Sequence, residues 1–163
     1  MDLTILFTPL DESIYNKPYA VNSFFKYIKV FGDSMPDYKG AHIAIFGVNE
    51  ERGTDTNTGC AKGPDEIRKK LYNLKKGNGA YRIVDLGNLN PGIDLDETYV
   101  RISEVCRILL ENNVMPLILG GTHDLDYGQY RSYEEMEKLV SFLNIDATLD
   151  LEDSKESKAS RQH

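Results

Sequence analysis

The run HIAIFGV at residues 42–48 is the feature of this sequence that most constrains its fold. The run is continuously apolar, without the alternation of a strand that has one face in water, and it is therefore typical of a parallel strand buried on both faces. A strand of that kind needs helices on both sides of its sheet to cover it. We therefore predict that residues 42–48 form a central strand of an α/β domain.

Strands and helices are predicted to alternate along the chain. The other predicted strands are residues 82–86, 114–120 and 139–146. Apolar residues recur at helical spacing in the predicted helices 64–75 and 95–112, and residues 130–138 are predicted to lie in the helix between the last two strands. Because strands that alternate with helices are joined by crossover connections, the four strands should be parallel in one sheet with helices on both faces. The predicted fold class is three-layer α/β/α with a mostly parallel sheet.

Two of the predicted helices carry signals at their first turn. Pro64 suits the first helical position because its fixed φ is already helical and its missing N–H has no partner there. Asp94 followed by Glu97 forms an approximate capping box at the start of the next helix. Both signals predict where the helices begin.

The chain divides by composition into three parts. Residues 1–40 mix a short apolar run, a candidate helix over residues 21–31 and a turn-rich loop, and they predict an N-terminal arm or cap. Residues 41–150 hold the alternating pattern and predict the α/β domain. Residues 151–163 are almost wholly polar, and a segment of that composition cannot repay its ordering entropy by burial. A disordered tail is therefore predicted there.

Charge and composition exclude several classes of partner. The formal net charge of −7 repels phosphate backbones, so no nucleic-acid partner is expected. No stretch approaches the roughly 20 apolar residues that cross a bilayer, and the N-terminus lacks the basic region of a secretory signal, so no membrane partner is expected. Cys60 and Cys106 have neither CxxC nor metal-finger spacing and are expected to be reduced thiols. The sequence predicts a cytoplasmic protein.

Histidine and carboxylate residues follow the last two predicted strands. In open parallel sheets, ligands bind outside the carboxyl ends of the strands. One strand runs into GGTHD at residues 120–124, which contains His123, and the next runs into DATLD, which contains Asp146 and Asp150. Imidazole and carboxylate donors suit a Mn²⁺-type ion. The same residues also fit a structural interpretation, with His123 packed after its strand and Asp146 as a turn or helix cap.

Four segments, in order, resemble motifs of the ureohydrolase family, which contains arginase, agmatinase and formimidoylglutamase. The resemblance covers roughly residues 41–151. The glycine-bearing loop with Gly63-Pro64 and Ile67-Arg68 resembles the family's GPxxIR helix start, and Asp85-Leu86-Gly87-Asn88 resembles its DxGD element. LILGGTHD at residues 117–124 resembles the GGDHS motif, and NIDATLD at residues 144–150 is similar to the DAHxD motif.

The resemblance implies a metal site with missing ligands. In the family, two Mn²⁺ ions share a bridging carboxylate and activate a hydroxide that attacks a guanidinium or amidine carbon. By resemblance His123, Asp146 and Asp150 serve the first ion, and Asp146 also bridges. Thr148 stands where the family has the histidine of the second ion, and a hydroxyl is a much poorer ligand than imidazole.

Two further departures affect the same site. Thr122 and Asp124 stand in place of the aspartate and the serine of GGDHS. The later carboxylate motif of the family, SxDxDxxDP, has no counterpart within the 163 residues. Any Mn²⁺ bound by this chain is therefore expected to be mononuclear and weak, or absent.

The resemblance implies an arginase-like fold, incomplete at the C-terminus. The function implied is the lineage of Mn²⁺-dependent hydrolysis of C–N bonds in linear guanidines or amidines, with this chain expected to be inactive by itself. The substrate of the full-length lineage would be a small guanidino or formimino compound, and a homo-oligomer is expected. No catalytic residue and no cofactor other than Mn²⁺ is predicted.

Two other functions remain to be considered. A non-catalytic ureohydrolase-like module for oligomerisation or regulation is the alternative that Thr148 and the absent carboxylates leave open. An unrelated nucleotide binder is disfavoured, because no GxGxxG follows the first strand.

Overall fold

The structure, a computed structural model, describes residues 2–146 of the chain. Thr148, Asp150 and the predicted disordered tail lie outside these residues. The described strands are β1 (Phe7–Thr8), β2 (Ile28–Val30), β3 (Ile43–Val48), β4 (Ile83–Leu89) and β5 (Met115–Leu119). The described α-helices are α1 (Glu12–Tyr15), α2 (Gly63–Leu71), α3 (Leu95–Glu111) and α4 (Asp126–Glu135).

One mostly parallel sheet contains all five described strands: four lie in the order β1-β4-β3-β5, and β2 pairs with β4 off this path. The central strand β3 pairs in parallel with β4 on one side and with β5 on the other. The three strands predicted from residues 42–48, 82–86 and 114–120 are therefore confirmed, and so is their parallel arrangement.

Helices cover the sheet on both faces. Ala44, Phe46 and Val48 of β3 are buried in one cluster with residues of α3. Asp85 of β4 turns to the opposite face, where it meets α2. Burying a side chain such as Phe46 contributes roughly 1.5–3 kcal/mol, so a strand that is apolar on both faces is stable only between two helical layers. The three-layer α/β/α fold is confirmed.

The N-terminal residues contribute two short strands to the sheet. β2 runs parallel to the first half of β4, and β1 runs antiparallel to its last two residues. The predicted helix over residues 21–31 is wrong, because a 3₁₀ turn at Phe24–Tyr27 leads directly into β2. Hydrogen bonding to β4, which is distant in sequence, determines the conformation of Ile28–Val30 here.

The predicted elements and the observed ones differ mainly in length. α2 ends at Leu71, before the predicted limit of 75, because the backbone of residues 74–76 bonds to residues 22–24. β4 extends to Leu89, past the predicted limit of 86, because β1 pairs with its end. α3 matches its prediction closely, and α4 begins earlier than the predicted residue 130.

The predicted strand at residues 139–146 is wrong. These residues are described without strand structure, and none of the described strands pairs with them. The apolar side chains that predicted a buried strand are not covered by other described residues. Leu139, Leu143 and Ile145 are all exposed. A strand requires a hydrogen-bonding neighbour, which a local sequence pattern cannot supply.

Within residues 2–146, none of the described helices combines the length and the apolar content required to cross a bilayer.

Candidate metal centre

His123 lies just beyond the carboxyl end of β5, in a 3₁₀ turn at His123–Leu125. The two glycines before it have positive φ values, 24° at Gly120 and 132° at Gly121, which favour glycine. A Cβ at Gly121 would also lie 2.8 Å from the carbonyl oxygen of Val48, at the end of β3. The double glycine therefore lets the chain turn close to β3 and brings His123 to the edge of the sheet.

Asp146 lies directly beside His123. The distance from His123 Nε2 to Asp146 Oδ2 is 3.1 Å, and the two side chains are 65% and 25% exposed. The expected placement of both residues at one edge is therefore confirmed, although residues 139–146 do not form the strand that predicted it. The pair is open to solvent on the His123 side, which an incoming ion needs.

The donor chemistry of this pair fits Mn²⁺, whereas the number of donors is incomplete. Imidazole nitrogen and carboxylate oxygen both suit this ion. Within residues 2–146, no group of three His, Cys, Asp or Glu side chains is arranged to hold a metal. Asp150, the third predicted ligand, lies outside the described residues, so the structure brings together two of the three predicted positions.

The side chains on either side of His123 are partly buried, which the sequence did not predict. Asp124 accepts a hydrogen bond at Oδ2 from the hydroxyl of Tyr99 in α3. The other oxygen of Asp124, Oδ1, and the hydroxyl of Thr122 are buried without a hydrogen-bond partner among the described residues. Unsatisfied buried polar atoms are uncommon in proteins, and they concentrate around His123 here.

A clamp centred on Arg52 connects the loops that follow β3 and β4. The Arg52 guanidinium donates to both carboxylate oxygens of Glu50, at 2.5 Å in the shortest contact. It also donates to the carbonyl oxygens of Gly92 and Ile93, at 3.1 and 2.7 Å. Hydrogen bonds from Arg52 lower the pKa of the Glu50 carboxyl despite its burial, which acts in the opposite direction.

A buried ion pair joins α2 to β4 on the other face of the sheet. Arg68 donates from Nε and Nη2 to the two oxygens of Asp85, at 2.9 Å in each case, and both side chains are fully buried. Tyr72 Oη also donates to Asp85 Oδ2 at 2.8 Å, and Arg68 Nη1 donates to Asn88 Oδ1 at 2.6 Å. The residues of the GPxxIR-like and DxGD-like segments are thus partners in one structural network.

Protonation in this network follows from its charges. Burial acts to lower the pKa of Arg68, but the charge of Asp85 and the hydrogen bonds to it outweigh burial and leave the pKa raised. Burial, together with the charge of Asp85, raises the pKa of the Tyr72 hydroxyl. Arg68 is therefore cationic and Tyr72 is a neutral donor. One signal for the network was present in the sequence, since an aspartate inside the apolar run RIVDL needs a buried partner.

Glycine permits the network to form close to the sheet. A Cβ at Gly47 would lie 2.7 Å from Cβ of Pro64 and 2.9 Å from Nη1 of Arg68. The β3–β4 register also shifts between Ile45 and Gly47. Gly47 therefore allows the N-terminal end of α2 to rest directly on the centre of the sheet.

Known proteins resemble this chain in both sequence and fold. The family model described as "Arginase family" matches residues 41–163. A formimidoylglutamase of Streptococcus gordonii is 26% identical over 157 residues, which cover 87% of this chain and 48% of the relative. A formimidoylglutamase of Salmonella paratyphi A is 33% identical over 115 residues, which cover 67% of this chain and 37% of the relative.

Solved structures share the fold at lower sequence identity. A Trypanosoma cruzi formiminoglutamase with Mn²⁺ matches with a TM-score of 0.57 and 21% identity over 63% of this chain and 38% of that chain. The agmatine ureohydrolase of Thermoplasma volcanium matches with a TM-score of 0.55 and 20% identity over 74% of this chain and 41% of that chain. These matches agree with the mixed, mostly parallel sheet described above.

The chain shares its α/β/α fold with these solved structures, a formiminoglutamase and an agmatine ureohydrolase. The chain belongs to the arginase family, on the match of the family model to residues 41–163. It spans 48% or less of the length of the curated relatives named above.

Proposed function

We propose that this chain carries the amino-terminal part of a formimidoylglutamase-type hydrolase, in the lineage that cleaves C–N bonds of linear amidines with Mn²⁺. The observation that carries the proposal is the 3.1 Å contact between His123 Nε2 and Asp146 Oδ2 at the carboxyl edge of the sheet. The names of the relatives, formimidoylglutamase in Streptococcus gordonii and Salmonella paratyphi A, support a formimino substrate over a guanidino one.

His123, Asp146 and Asp150 would hold one Mn²⁺ ion. When bound, such an ion lowers the pKa of a coordinated water and polarises the bond that is to be cleaved. Thr148 offers only a neutral hydroxyl at the position of a second imidazole. His42 cannot replace it, because His42 lies at the opposite end of β3 from the site and accepts a hydrogen bond from the backbone N–H of Arg82.

Because only one weakly bound ion is expected, we expect the 163-residue chain to hydrolyse its substrate slowly or not at all. Dinuclear sites use two positive centres to stabilise the attacking and the leaving groups, and each centre contributes several kcal/mol. We propose that this chain by itself does not hydrolyse formimidoylglutamate, agmatine or arginine at a family-like rate. Robust formamide, urea or ammonia release from the pure chain in Mn²⁺, at a family-like rate, would contradict the proposal.

Metal binding can be tested by calorimetric titration with Mn²⁺. We expect at most one weakly bound ion per chain, loss of binding in His123→Ala, and little change in Thr148→Ala, which is the matched control because its hydroxyl has no role at the first ion. Two tightly held Mn²⁺ ions per chain by elemental analysis would exclude a mononuclear site.

The formimidoylglutamase assignment can be tested with a chimera. Residues 1–150 would replace the equivalent part of the Streptococcus gordonii relative, with and without the substitution Thr148→His. We expect hydrolysis of formimidoylglutamate only in the chimera that carries Thr148→His, because that residue restores an imidazole at the second ion. Equal activity in both chimeras would show that position 148 has no part in binding the metal.

The sequence also predicts the location, the assembly and the partners of the protein. A cytoplasmic location, a homo-oligomeric assembly and the absence of a nucleic-acid partner remain predictions, of which the last is supported by the formal charge of −7.

A further inference from the structure

Asp124 links the metal-site histidine to the interior of the domain. It follows His123 directly in the 3₁₀ turn, and its Oδ2 accepts a hydrogen bond from the Tyr99 hydroxyl. Tyr99 lies on α3 and is only 6% exposed, and its ring packs edge-on against Tyr127 at a centroid distance of 5.5 Å. The carboxylate is therefore attached to a buried and well-packed side chain.

Gly53 forms the other wall around the same carboxylate. A Cβ at Gly53 would lie 2.5 Å from Cγ of Asp124, closer than side-chain atoms approach one another. The loop after β3 therefore leaves a space that the Asp124 carboxylate occupies. Any larger side chain at Gly53 would displace it.

The Arg52 clamp holds Gly53 in place. Arg52 binds Glu50 within its own loop and the carbonyl oxygens of Gly92 and Ile93 in the loop that precedes α3. Glu50 is itself buried, at 2% exposure, and also accepts a hydrogen bond from Thr98 at 3.3 Å. Loops after β3, β4 and β5 are thus connected to one another around Asp124.

We infer that Asp124, bonded to Tyr99 and seated against Gly53, is a positioning residue that orients His123 towards Asp146. Rotation of the 3₁₀ turn would move the His123 imidazole away from the 3.1 Å contact with Asp146, and the fixed carboxylate opposes that rotation. A serine, which the family motif has at this position, is shorter than aspartate and would leave the space against Gly53 unfilled. The inference rests on the proposed function in that His123 and Asp146 are taken to bind Mn²⁺.

The test uses three variants of the 163-residue chain and one matched control. Tyr99→Phe removes the hydroxyl, Asp124→Asn keeps a neutral acceptor, and Asp124→Leu removes every acceptor. Tyr127→Phe is the control, because Tyr127 is an exposed tyrosine against the same ring. Two properties are measured: Mn²⁺ affinity by electron paramagnetic resonance, and the imidazole NMR resonances of His123 in the metal-free chain, assigned with His123→Gln.

Loss of a direct hydrogen-bond partner of a metal ligand weakens metal binding about 10- to 100-fold. Tyr99 and Asp124 act on His123 through the turn, so we expect a smaller loss, up to about tenfold, for Tyr99→Phe and Asp124→Leu. Asp124→Asn should retain most of the affinity, because its amide oxygen still accepts from Tyr99. The His123 resonances should shift in Tyr99→Phe and Asp124→Leu and remain in place in Tyr127→Phe.

Tyr99→Phe that matches Tyr127→Phe in both measurements would overturn the positioning role. Loss of all Mn²⁺ binding in Asp124→Asn, with Tyr99→Phe unaffected, would make Asp124 a direct ligand and also overturn it. If the unaltered chain binds no Mn²⁺, the proposed metal function fails, and the metal-free resonances alone decide whether Asp124 orients His123. If Tyr99→Phe does not fold, Asp124→Asn and Asp124→Leu give the same decision.

Discussion

At the scale of single residues, the ion pair between Arg68 and Asp85 dominates the interior of the domain. Both side chains are fully buried, and the Asp85 carboxylate also accepts hydrogen bonds from Tyr72 and from the backbone N–H of Gly87. Charges buried in this way are tolerated only when every donor and acceptor is satisfied. The motif residues around this pair therefore maintain the fold by joining α2 to β4.

Substitution of Arg68 by methionine should strongly destabilise the domain. The variant keeps the length of the side chain but leaves Asp85 buried without its charge partner, and breaking such a pair costs about 3–5 kcal/mol. Arg107→Met is the control, since Arg107 forms an exposed i,i+4 pair with Glu111 that is worth about 0.3–0.5 kcal/mol. Urea unfolding followed by circular dichroism measures both. Equal unfolding midpoints for the two variants would show that the buried pair adds nothing.

The Glu50 carboxyl should make stability depend on pH in the acid range. Its pKa is lowered in the folded chain, chiefly by the hydrogen bonds from Arg52. A lowered folded-state pKa contributes stability above the unfolded value, about 4.3 for glutamate, and this contribution is lost as the pH falls through the folded value. The free energy of unfolding should therefore fall less between pH 6 and pH 3.5 in Glu50→Gln than in the unaltered chain. Parallel pH curves for the two proteins would contradict this, and Glu111→Gln is the surface control.

Sequence reasoning predicted some residues of the candidate site and missed others for a physical reason. His123 and Asp146 were predicted because each follows an apolar segment closely in the chain. The Arg52 clamp and the Tyr99–Asp124 hydrogen bond join residues far apart in sequence, so no local sequence pattern predicts these contacts. The buried Asp85 was visible as a charge inside an apolar strand, but its partner on α2 required the three-dimensional structure.

At the scale of secondary structure, elements determined by their own sequence were predicted, and elements determined by pairing with distant residues were not. β3 and α3 were predicted closely, because burial on both faces and an apolar stripe are properties of a single segment. β2 was missed, and residues 139–146 were predicted as a strand that the structure does not have, because strands depend on neighbours distant in the chain. Helices bond within themselves, so sequence periodicity predicts them more directly.

The start of α3 provides a test of local stabilisation. The Asp94 side chain accepts from the backbone N–H of Glu97 at 2.7 Å, and Glu97 Oε2 accepts in return from the N–H of Ile93 at 2.7 Å. Replacing an N-cap aspartate by alanine typically costs about 1 kcal/mol. Asp94→Ala should therefore lower the free energy of unfolding by about that amount in urea, whereas Asp96→Ala, two residues later in the same turn and exposed, should lower it less. A larger effect of Asp96→Ala would refute the assignment of Asp94 as the cap.

At the scale of the whole molecule, the metal site is expected to connect two parts of the chain. Described contacts of the segment 139–146 with the rest of the domain include the ring pair Tyr130–Phe142, at 5.3 Å, and the pair His123–Asp146. Phe142 and Leu143 are exposed, so both are accessible to chymotrypsin. An ion bound by both His123 and Asp146 would link the two ends of residues 123–146. Residues 139–146 would then be less free to move away from the domain.

Saturation with Mn²⁺ should therefore slow chymotryptic cleavage at Phe142 and Leu143. If only the metal-free chain is cut there, the rate falls by the factor 1 + [Mn²⁺]/Kd, which is about tenfold when the ion is supplied at ten times its Kd. Mass spectrometry of the fragments over time measures the rate at these two bonds, and a reference peptide corrects for any effect of Mn²⁺ on the protease. His123→Ala should abolish the protection and Thr148→Ala should retain it, since only His123 is assigned to the ion. Protection that persists unchanged in His123→Ala would place Mn²⁺ elsewhere on the chain and remove the metal centre from this edge of the sheet.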